Sequence, residues 1–260
     1  MVSKALFTAL LALLLSLFGE HQARAIVIDD FSAGEIDIDG PATQDQTDLD
    51  PAHVIGGSRR IQLGQFGNGS HVEITNDQLQ FNSVGWGYVT LTYGGTQALG
   101  GVDLTADGHD RIRIKFGNVT TNYTPMSLYV NLSPSSSSNG VSWQAAQAWD
   151  GITIEIPYAG FPSPVTAVQK IVFDAFRNQA GTGFEIESIS TAGPSLAGDF
   201  NRDGLVNGDD VGQWMQNNGV VTSVYMPKVF AGSDANLDGR VDGADFLTWQ
   251  RLAGVQSLTP

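Results

Sequence analysis

The sequence predicts a mainly β protein, in which an antiparallel β-sandwich is followed by a small α-helical region. Three observations support this prediction. Short segments with alternating apolar and polar residues recur from residue 26 to about residue 192. Glycine, which contributes 31 of the 260 residues, repeatedly separates these segments, as turns between strands require. After residue 193 the alternation stops, and an acidic motif occurs twice.

The first 25 residues have the pattern of a secretory signal peptide. Lys4 supplies a positive start, an apolar run extends from Ala5 to Phe18, and Ala23-Arg24-Ala25 is a small-x-small cleavage sequence. The apolar run is shorter than the roughly 20 residues that a membrane-spanning helix needs. We therefore expect cleavage after Ala25 and a secreted, extracellular protein with no membrane span.

Strands are predicted wherever the alternation has a period of two. Ile112, Ile114 and Phe116 alternate with basic residues, and alternate side chains of a strand point to opposite faces. The same pattern occurs in three further stretches: residues 126–132, 152–156 and 184–187. About ten such runs without an amphipathic helix are typical of a β-sandwich.

The acidic motif is an internal repeat in which Asp199 aligns with Asp234, 35 positions later. Oxygen-bearing residues at positions one, three, five, nine and twelve, with glycine at position six and a backbone carbonyl at position seven, form a calcium-binding loop of the EF-hand type. We therefore expect two Ca²⁺ ions. The predicted ligands are Asp199, Asn201, Asp203, Leu205, Asn207 and Asp210 in the first loop, and Asp234, Asn236, Asp238, Arg240, Asp242 and Asp245 in the second.

One helix is predicted after each loop, over residues 209–217 and 244–252, and none before it. Gly219 and Gly254 are expected to end these helices. Two further pairs have equivalent places in the repeat. Val206 and Val241 are expected to pack the loops together, and Trp214 and Trp249 to fill the small core between the helices.

These two loop-helix units resemble a type I dockerin domain. The resemblance implies Ca²⁺-dependent docking to a cohesin-type domain on a scaffold or cell surface. Dockerins usually carry Ser or Thr at the two positions before the last ligand, whereas this sequence has Gly208-Asp209 and Gly243-Ala244. The identity of the docking partner is therefore left open.

The β region, from Ile26-Val-Ile-Asp-Asp-Phe31 to Phe184-Glu-Ile-Glu-Ser-Ile189, resembles the jelly-roll sandwiches of carbohydrate-binding modules. The resemblance implies a polysaccharide partner. Sugars stack on exposed aromatic rings, and the alternative for any one ring is packing in the core. The candidate ligand-binding residues are Trp86, Tyr88, Trp143 and Trp149. A net charge of −14 excludes nucleic acid as a natural partner.

No catalytic residue is predicted. Glu35-Ile-Asp-Ile-Asp39 resembles the Glu-x-Asp-x-Glu signature of laminarinase-type glycosidases, but its last residue is Asp, and an acidic sheet edge is the better interpretation. Whether Glu155 approaches Glu185 or Glu187 in space is left open by the sequence. The chain has no cysteine and no Gly-x-Ser-x-Gly turn, which excludes thiol chemistry and a serine-hydrolase elbow.

The sequence thus predicts a secreted, non-catalytic glycan-binding sandwich with a calcium-binding docking domain. Two alternatives remain: a polysaccharide hydrolase or lyase carried by a dockerin, and a structural surface protein. The predicted parts are a signal peptide (1–25), a β-sandwich domain (26–192), a linker (193–198) and a dockerin-like domain (199–260).

Overall fold

The computed structural model describes residues 25–253 with gaps at 67–68, 96, 121–125, 134–139, 146–148, 162–163, 178–181, 195, 203–204 and 221–229. All of the predicted signal peptide except Ala25 lies outside the described residues, as does Gly254. Among the residues that are described, no helix is long and apolar enough to cross a membrane.

The described residues form two antiparallel sheets, and the first has nine strands. The strands of this sheet are β1 (Val27–Asp29), β2 (Ile36–Asp39), β5 (Ser70–Thr75), β6 (Gln78–Ser83), β8 (Arg111–Thr120), β11 (Trp149–Asp150), β12 (Thr153–Pro157), β14 (Thr182–Ala192) and β15 (Phe230–Ala231). Their main order is β15-β12-β8-β14-β6-β5-β2, with β1 beside β14 and β11 beside β8.

The second sheet has six strands: β3 (Ala42–Gln46), β4 (Arg59–Phe66), β7 (Trp86–Tyr93), β9 (Met126–Ser133), β10 (Gly140–Ala145) and β13 (Lys170–Arg177). Their order is β10-β9-β13-β7-β4-β3. Three short 3₁₀ turns, at Ile55–Gly57, Ala106–Gly108 and Tyr158–Gly160, interrupt the loops of the sandwich.

Apolar side chains from both sheets form one core, which makes the two sheets a sandwich. Ile112, Ile114 and Phe116 of β8 are fully buried, and so are the alternate residues Leu128 and Val130 of β9. The predicted strands and their buried faces are therefore confirmed in these segments. Burial of each such side chain contributes about 1.5 to 3 kcal/mol to the free energy of unfolding.

A buried ion pair, which the sequence did not reveal, joins β1 to the second sheet. Nη1 of Arg59 lies 2.8 Å from each carboxylate oxygen of Asp29, and the Tyr93 hydroxyl donates a hydrogen bond to Asp29 at 2.8 Å. Burial raises the pKa of Asp29, although the Arg59 charge opposes that shift.

The region after residue 198 contains the α-helices of the described chain, α1 (Asp210–Asn217) and α2 (Gly243–Leu252). Their bounds confirm the predicted helices to within one residue. Gly219 follows α1 with a φ of 90°, as a C-terminal helix glycine requires. This region also joins the sandwich, because Ala231 of β15 pairs with Ile154 of β12.

Candidate functional site

The last acidic residue of the first loop, Asp210, is a fully buried carboxylate that organises its own loop. One of its oxygens accepts backbone N–H groups of Phe200 at 2.7 Å and Asn201 at 3.1 Å. Its other oxygen accepts the N–H of Asn207 at 2.8 Å. The loop backbone therefore bends around one carboxylate.

Asp245, the equivalent residue of the second loop, is also fully buried and makes equivalent bonds. It accepts the N–H groups of Asn236 at 3.1 Å and Asp242 at 2.7 Å. These donors stand at loop positions three and nine, as do Asn201 and Asn207 in the first loop. The sequence repeat is therefore also a repeat of backbone geometry.

The side chain at position one of the second loop bonds to the turn at positions five and six. Asp234 accepts the N–H of Asp238 at 3.1 Å and the N–H of Gly239 at 2.8 Å. Gly239 has a φ of 87°, a left-handed conformation that side chains rarely adopt. In the same turn the Asn236 side chain donates to the Asp238 carboxylate at 3.1 Å, so the side chains at positions three and five lie close together.

The other predicted ligands also lie in or beside these turns. Asp242 accepts the N–H of Ala244 at 2.8 Å, and Asn207 accepts the N–H of Asp209 at 2.6 Å. Asp203 lies outside the described residues. The remaining predicted ligands are placed as follows: Asp199 is buried, Asn201, Asn236 and Asp238 are exposed, and Leu205 and Arg240 lie in isolated β-bridges.

The second loop concentrates negative charge in a partly desolvated place. Burial raises the pKa of Asp234 to about 7, and repulsion from Asp245 and Asp238 adds to the increase. Burial also raises the pKa of Asp245. Within the described part of the chain, no cationic side chain forms an ion pair with either residue. A bound cation would supply the missing positive charge.

The two loop-helix units are joined by hydrogen bonds from their tryptophans. Nε1 of Trp214 in α1 donates to the carbonyl of Asp242 at 3.1 Å, and Nε1 of Trp249 in α2 donates to the carbonyl of Asn207 at 2.7 Å. The ring of Phe246 lies 4.9 Å from that of Trp214 and 5.1 Å from that of Trp249. Both tryptophans therefore pack between the units, as the sequence predicted.

Val206 and Val241, which occupy position eight of the two loops, are both buried. The backbone N–H of Val241 donates to the carbonyl of Val220 at 2.9 Å, and Gly219 donates to the carbonyl of Val241 at 2.8 Å. The segment after α1 therefore pairs with the second loop.

A second candidate site lies on the outer face of the second sheet. We define the polar row of this sheet as Thr43, Gln62, Thr90, Asp174 and Tyr129, which are paired across five adjacent strands. All five are partly or fully exposed, whereas their neighbours along β4, β7, β9 and β13 are buried. At a strand spacing of about 4.8 Å, the polar row extends over roughly 19 Å.

Tyr88 borders the polar row and lines an open groove of about 320 Å³ together with Thr43, Gln62 and Gly64. Tyr88 pairs with Gly64 across the strands, and any side chain at Gly64 would overlap the Tyr88 ring. The glycine therefore lets the aromatic ring lie across the sheet surface.

Of the four predicted ligand-binding aromatic residues, Tyr88 is the one whose side chain is described by the structure. Tyr88 is half-buried on the sheet surface. Trp86 pairs with Phe66, Trp143 with Leu128, and Trp149 with Val119. The side chains of these three tryptophans lie outside the described residues.

Tyr129, Asp174 and Gln62 were not among the predicted ligand-binding residues. The signal for Tyr129 was present, because it lies on the polar side of the alternation in residues 126–132. The signals for Asp174 and Gln62 were weaker, because a polar residue in an alternating strand indicates only an outward direction. The cross-strand register that brings these residues together is not visible in the sequence.

Glu155, the most deeply buried glutamate of the described chain, is paired with three guanidinium groups. Its oxygens lie 2.7 Å from Arg111, 3.1 Å from Arg113 and 3.1 Å from Arg202. Burial would raise its pKa, but the three arginines together lower it below the usual value. A carboxyl group held in the charged form is poorly suited to donate a proton.

Glu185 and Glu187 lie on β14, which is separated from Glu155 on β12 by β8. Glu185 accepts the N–H of Asn118 at 3.0 Å, and Glu187 pairs with Lys115 at 2.5 Å. The pairing of Glu155 with either residue, which the sequence had left open, is not found.

The motif that resembles a glycosidase signature forms β2, which ends the main order of the first sheet. Asp37 and Asp39 point to solvent, and Nδ1 of His71 lies 2.9 Å from Asp39 and 3.6 Å from Asp37. This position confirms the prediction of an acidic sheet edge.

No protein-family model matches the chain, and no curated protein matches it. Among solved structures, a family 11 carbohydrate-binding module from Clostridium thermocellum in complex with a β-1,3-1,4-mixed-linked tetrasaccharide is similar at 14% identity, covering 65% of this chain and 95% of that chain, with a TM-score of 0.34. TmCBM61 in complex with β-1,4-galactotriose is similar at 10% identity, covering 58% of this chain and 88% of that chain, with a TM-score of 0.29. Because these identities and TM-scores are low, the function is argued from the geometry of this chain and not from its similarity to these structures.

Proposed function

We propose that the protein binds a polysaccharide, without cleaving it, through the polar row and Tyr88 on the outer face of its second sheet. The observation that carries the proposal is the arrangement of an aromatic ring beside a straight series of hydroxyl, amide and carboxylate groups. An aromatic face packs against the C–H face of a sugar, and the polar groups bond to its hydroxyls.

The internal bonds of the row leave acceptor capacity for a ligand. The Thr90 hydroxyl donates to one oxygen of Asp174 at 2.5 Å, and a carboxylate can accept further hydrogen bonds. At the rim, Arg60 forms a bidentate pair with Asp45 at 2.6 and 2.9 Å, which fixes both charged groups. A surface already held in place loses little freedom when a sugar chain binds.

A panel of soluble polysaccharides in affinity gel electrophoresis tests this proposal. We expect retardation by at least one glycan and no release of reducing ends. Tyr88→Ala and Tyr129→Ala should abolish the retardation, whereas Gln80→Ala, on the first sheet, should not. Reducing-end release would favour the polysaccharide hydrolase, and an absence of retardation throughout the panel would favour the structural surface protein.

We further propose that the two C-terminal loops bind Ca²⁺. Their donor set fits this ion, because it consists of carboxylate, amide and carbonyl oxygens. In both loops the last carboxylate accepts the backbone N–H groups of positions three and nine. A bound Ca²⁺ would neutralise the carboxylates and fix the loops. The chain's own part is to hold Asp210 and Asp245 in place through the backbone N–H groups described above.

The resemblance to dockerins supports a docking role for this region, with a cohesin-type domain as partner and a secreted protein attached to a surface scaffold as the setting. The helices offer apolar surface for such contact, since Met215 of α1 is 66% exposed and Leu247 of α2 is 50% exposed.

Calorimetric titration with CaCl₂ tests the calcium proposal. We expect two binding events in the unaltered chain. Asp245→Ala should remove one of them, and Asp209→Ala, which removes the same charge beside the first loop without removing a ligand, should retain both. Equal losses in these two variants would contradict the assigned ligands.

A further inference from the structure

Arg202 occupies position four of the first loop, between the predicted ligands Asn201 and Asp203. Its side chain, however, contacts the sandwich at Glu155. Its φ of 66° is in the left-handed region, and so is the φ of 59° at Leu237, the equivalent residue of the second loop. The same backbone conformation at position four places the two side chains in different surroundings. Arg202 is largely buried against the sandwich, whereas Leu237 is 57% exposed.

The guanidinium of Arg202 reaches Glu155 on β12, where it makes its ion pair at 3.1 Å. The same Nη2 donates to the carbonyl of Gly232, the residue after β15, at 2.9 Å. Gly232 in turn donates to the carbonyl of Thr153 on β12 at 2.8 Å. One arginine therefore connects the first loop, the segment before the second loop and the edge of the sandwich.

The insertion of Arg202 is energetically demanding. Its Nε is buried without a hydrogen-bond partner in the described structure. The cost of moving its charge out of water is repaid only where the geometry of its ion pair and hydrogen bonds is good, and that geometry depends on the backbone that carries the side chain.

We propose that Arg202 couples calcium binding in the first loop to the stability of the sandwich. The inference rests on the proposed calcium function. An ion held by the first loop fixes the backbone at Arg202, which directs the Arg202 side chain towards Glu155. Because coupling between two events is reciprocal, the contact with Glu155 must strengthen calcium binding as much as calcium strengthens the contact.

The experiment compares the full chain with Arg202→Leu, which places at position four the residue type that the second loop has there. Calcium affinity is measured by calorimetry after chelator treatment, and the melting of the sandwich by near-ultraviolet circular dichroism with and without Ca²⁺. For the unaltered chain we expect Ca²⁺ to raise the melting temperature of the sandwich. For Arg202→Leu we expect that increase to fall by more than half, and the affinity of one site to fall roughly fivefold or more.

Leu237→Ala is the matched control, because it changes the equivalent position without touching the sandwich, and it should retain both effects. If Arg202→Leu fails to fold, Arg202→Lys, which keeps the charge but loses the forked donor, should show a partial loss of both. An undiminished thermal shift with unchanged affinity in the Arg202 variants would overturn the coupling while leaving the calcium function intact. An absence of Ca²⁺ binding in the unaltered chain would overturn both.

Discussion

At the scale of single residues, two tyrosines of β7 have opposite environments. Tyr88 lies half-buried on the outer face, whereas Tyr93 is fully buried and bonded to Asp29. We expect Tyr88→Ala to abolish glycan retention and to lower the free energy of unfolding by about 1 to 2 kcal/mol, because only part of the ring is buried, whereas loss of a core aromatic costs about 3 to 5 kcal/mol. Affinity electrophoresis and urea unfolding measure the two effects.

Tyr93→Phe provides the reverse case on the same strand. It removes the hydroxyl that donates to the buried Asp29, and the loss should cost about 1 to 3 kcal/mol. Glycan retention should remain unchanged in this variant. A strongly destabilised Tyr88→Ala variant would show that the Tyr88 ring serves packing over Gly64 and would remove it from the binding face.

The two C-terminal loops differ at position nine, where Asp242 replaces Asn207. The second loop thus has four predicted ligand carboxylates against three in the first, and ligand charge raises calcium affinity. We expect the second loop to fill first, and Asp234→Ala to weaken the region more than Asp199→Ala does. Calorimetric titration and helical circular dichroism of both variants measure this order, and a larger loss in Asp199→Ala would contradict it.

At the scale of elements, α1 and α2 depend on the loops that precede them. The aromatic contacts of the helices centre on Phe246 and the two tryptophans. A small region whose acidic loops bind a metal ion usually needs that ion to fold. We expect excess EGTA to remove the helical circular dichroism signal while the β signal of the sandwich remains. Unchanged helical signal in EGTA would show that the helices fold without the ion.

Elements with a regular pattern could be predicted from the sequence. The alternation of Ile112, Ile114 and Phe116 predicted a strand with one buried face, and the duplicated motif predicted two helices to within one residue. In both cases neighbouring residues carry the signal, because a strand or helix repeats its side-chain directions at short intervals.

Contacts between distant segments could not be predicted in this way. Nothing near Arg202 in the sequence distinguishes it from an exposed loop residue such as Leu237, and the pairing of β15 with β12 depends on two residues only. Arg59 and Asp29, which form the buried ion pair, are also far apart in the sequence. The polar row could not be predicted for the same reason, because Tyr129 and Asp174 become neighbours only through the register of their strands.

At the scale of the whole molecule, the acidic C-terminal region and the sandwich meet at one charged cluster. Glu155 forms ion pairs with Arg111 and Arg113 of the adjacent strand β8 and with Arg202 of the first loop. Asp110 pairs with Arg111 at 2.6 Å. Gln213 of α1 adds a hydrogen bond of 3.3 Å to the carbonyl of Gly151. The cluster therefore stabilises the sheet edge and the attachment of the C-terminal region together.

The charge state of Glu155 gives this junction a defined dependence on pH. Burial opposes its ionisation, but the three arginines outweigh burial and hold its pKa below the usual value of 4.5. A carboxyl group whose pKa is lower in the folded state stabilises that state above its unfolded pKa. This stabilisation begins to disappear near pH 4.5 and is lost as the pH falls through the folded value.

We therefore expect Glu155→Gln to lower the free energy of unfolding by about 3 to 5 kcal/mol at pH 7, because three partly buried guanidinium groups lose their counter-charge. The difference from the unaltered chain should shrink as the pH falls from 4.5 through the lowered pKa of Glu155. Urea unfolding at pH 7 and at a series of pH values below 4.5 measures this change, with Glu73→Gln as a control on the first sheet. A difference that persists in acid would show that the cluster depends on the shape of the side chain and not on its charge.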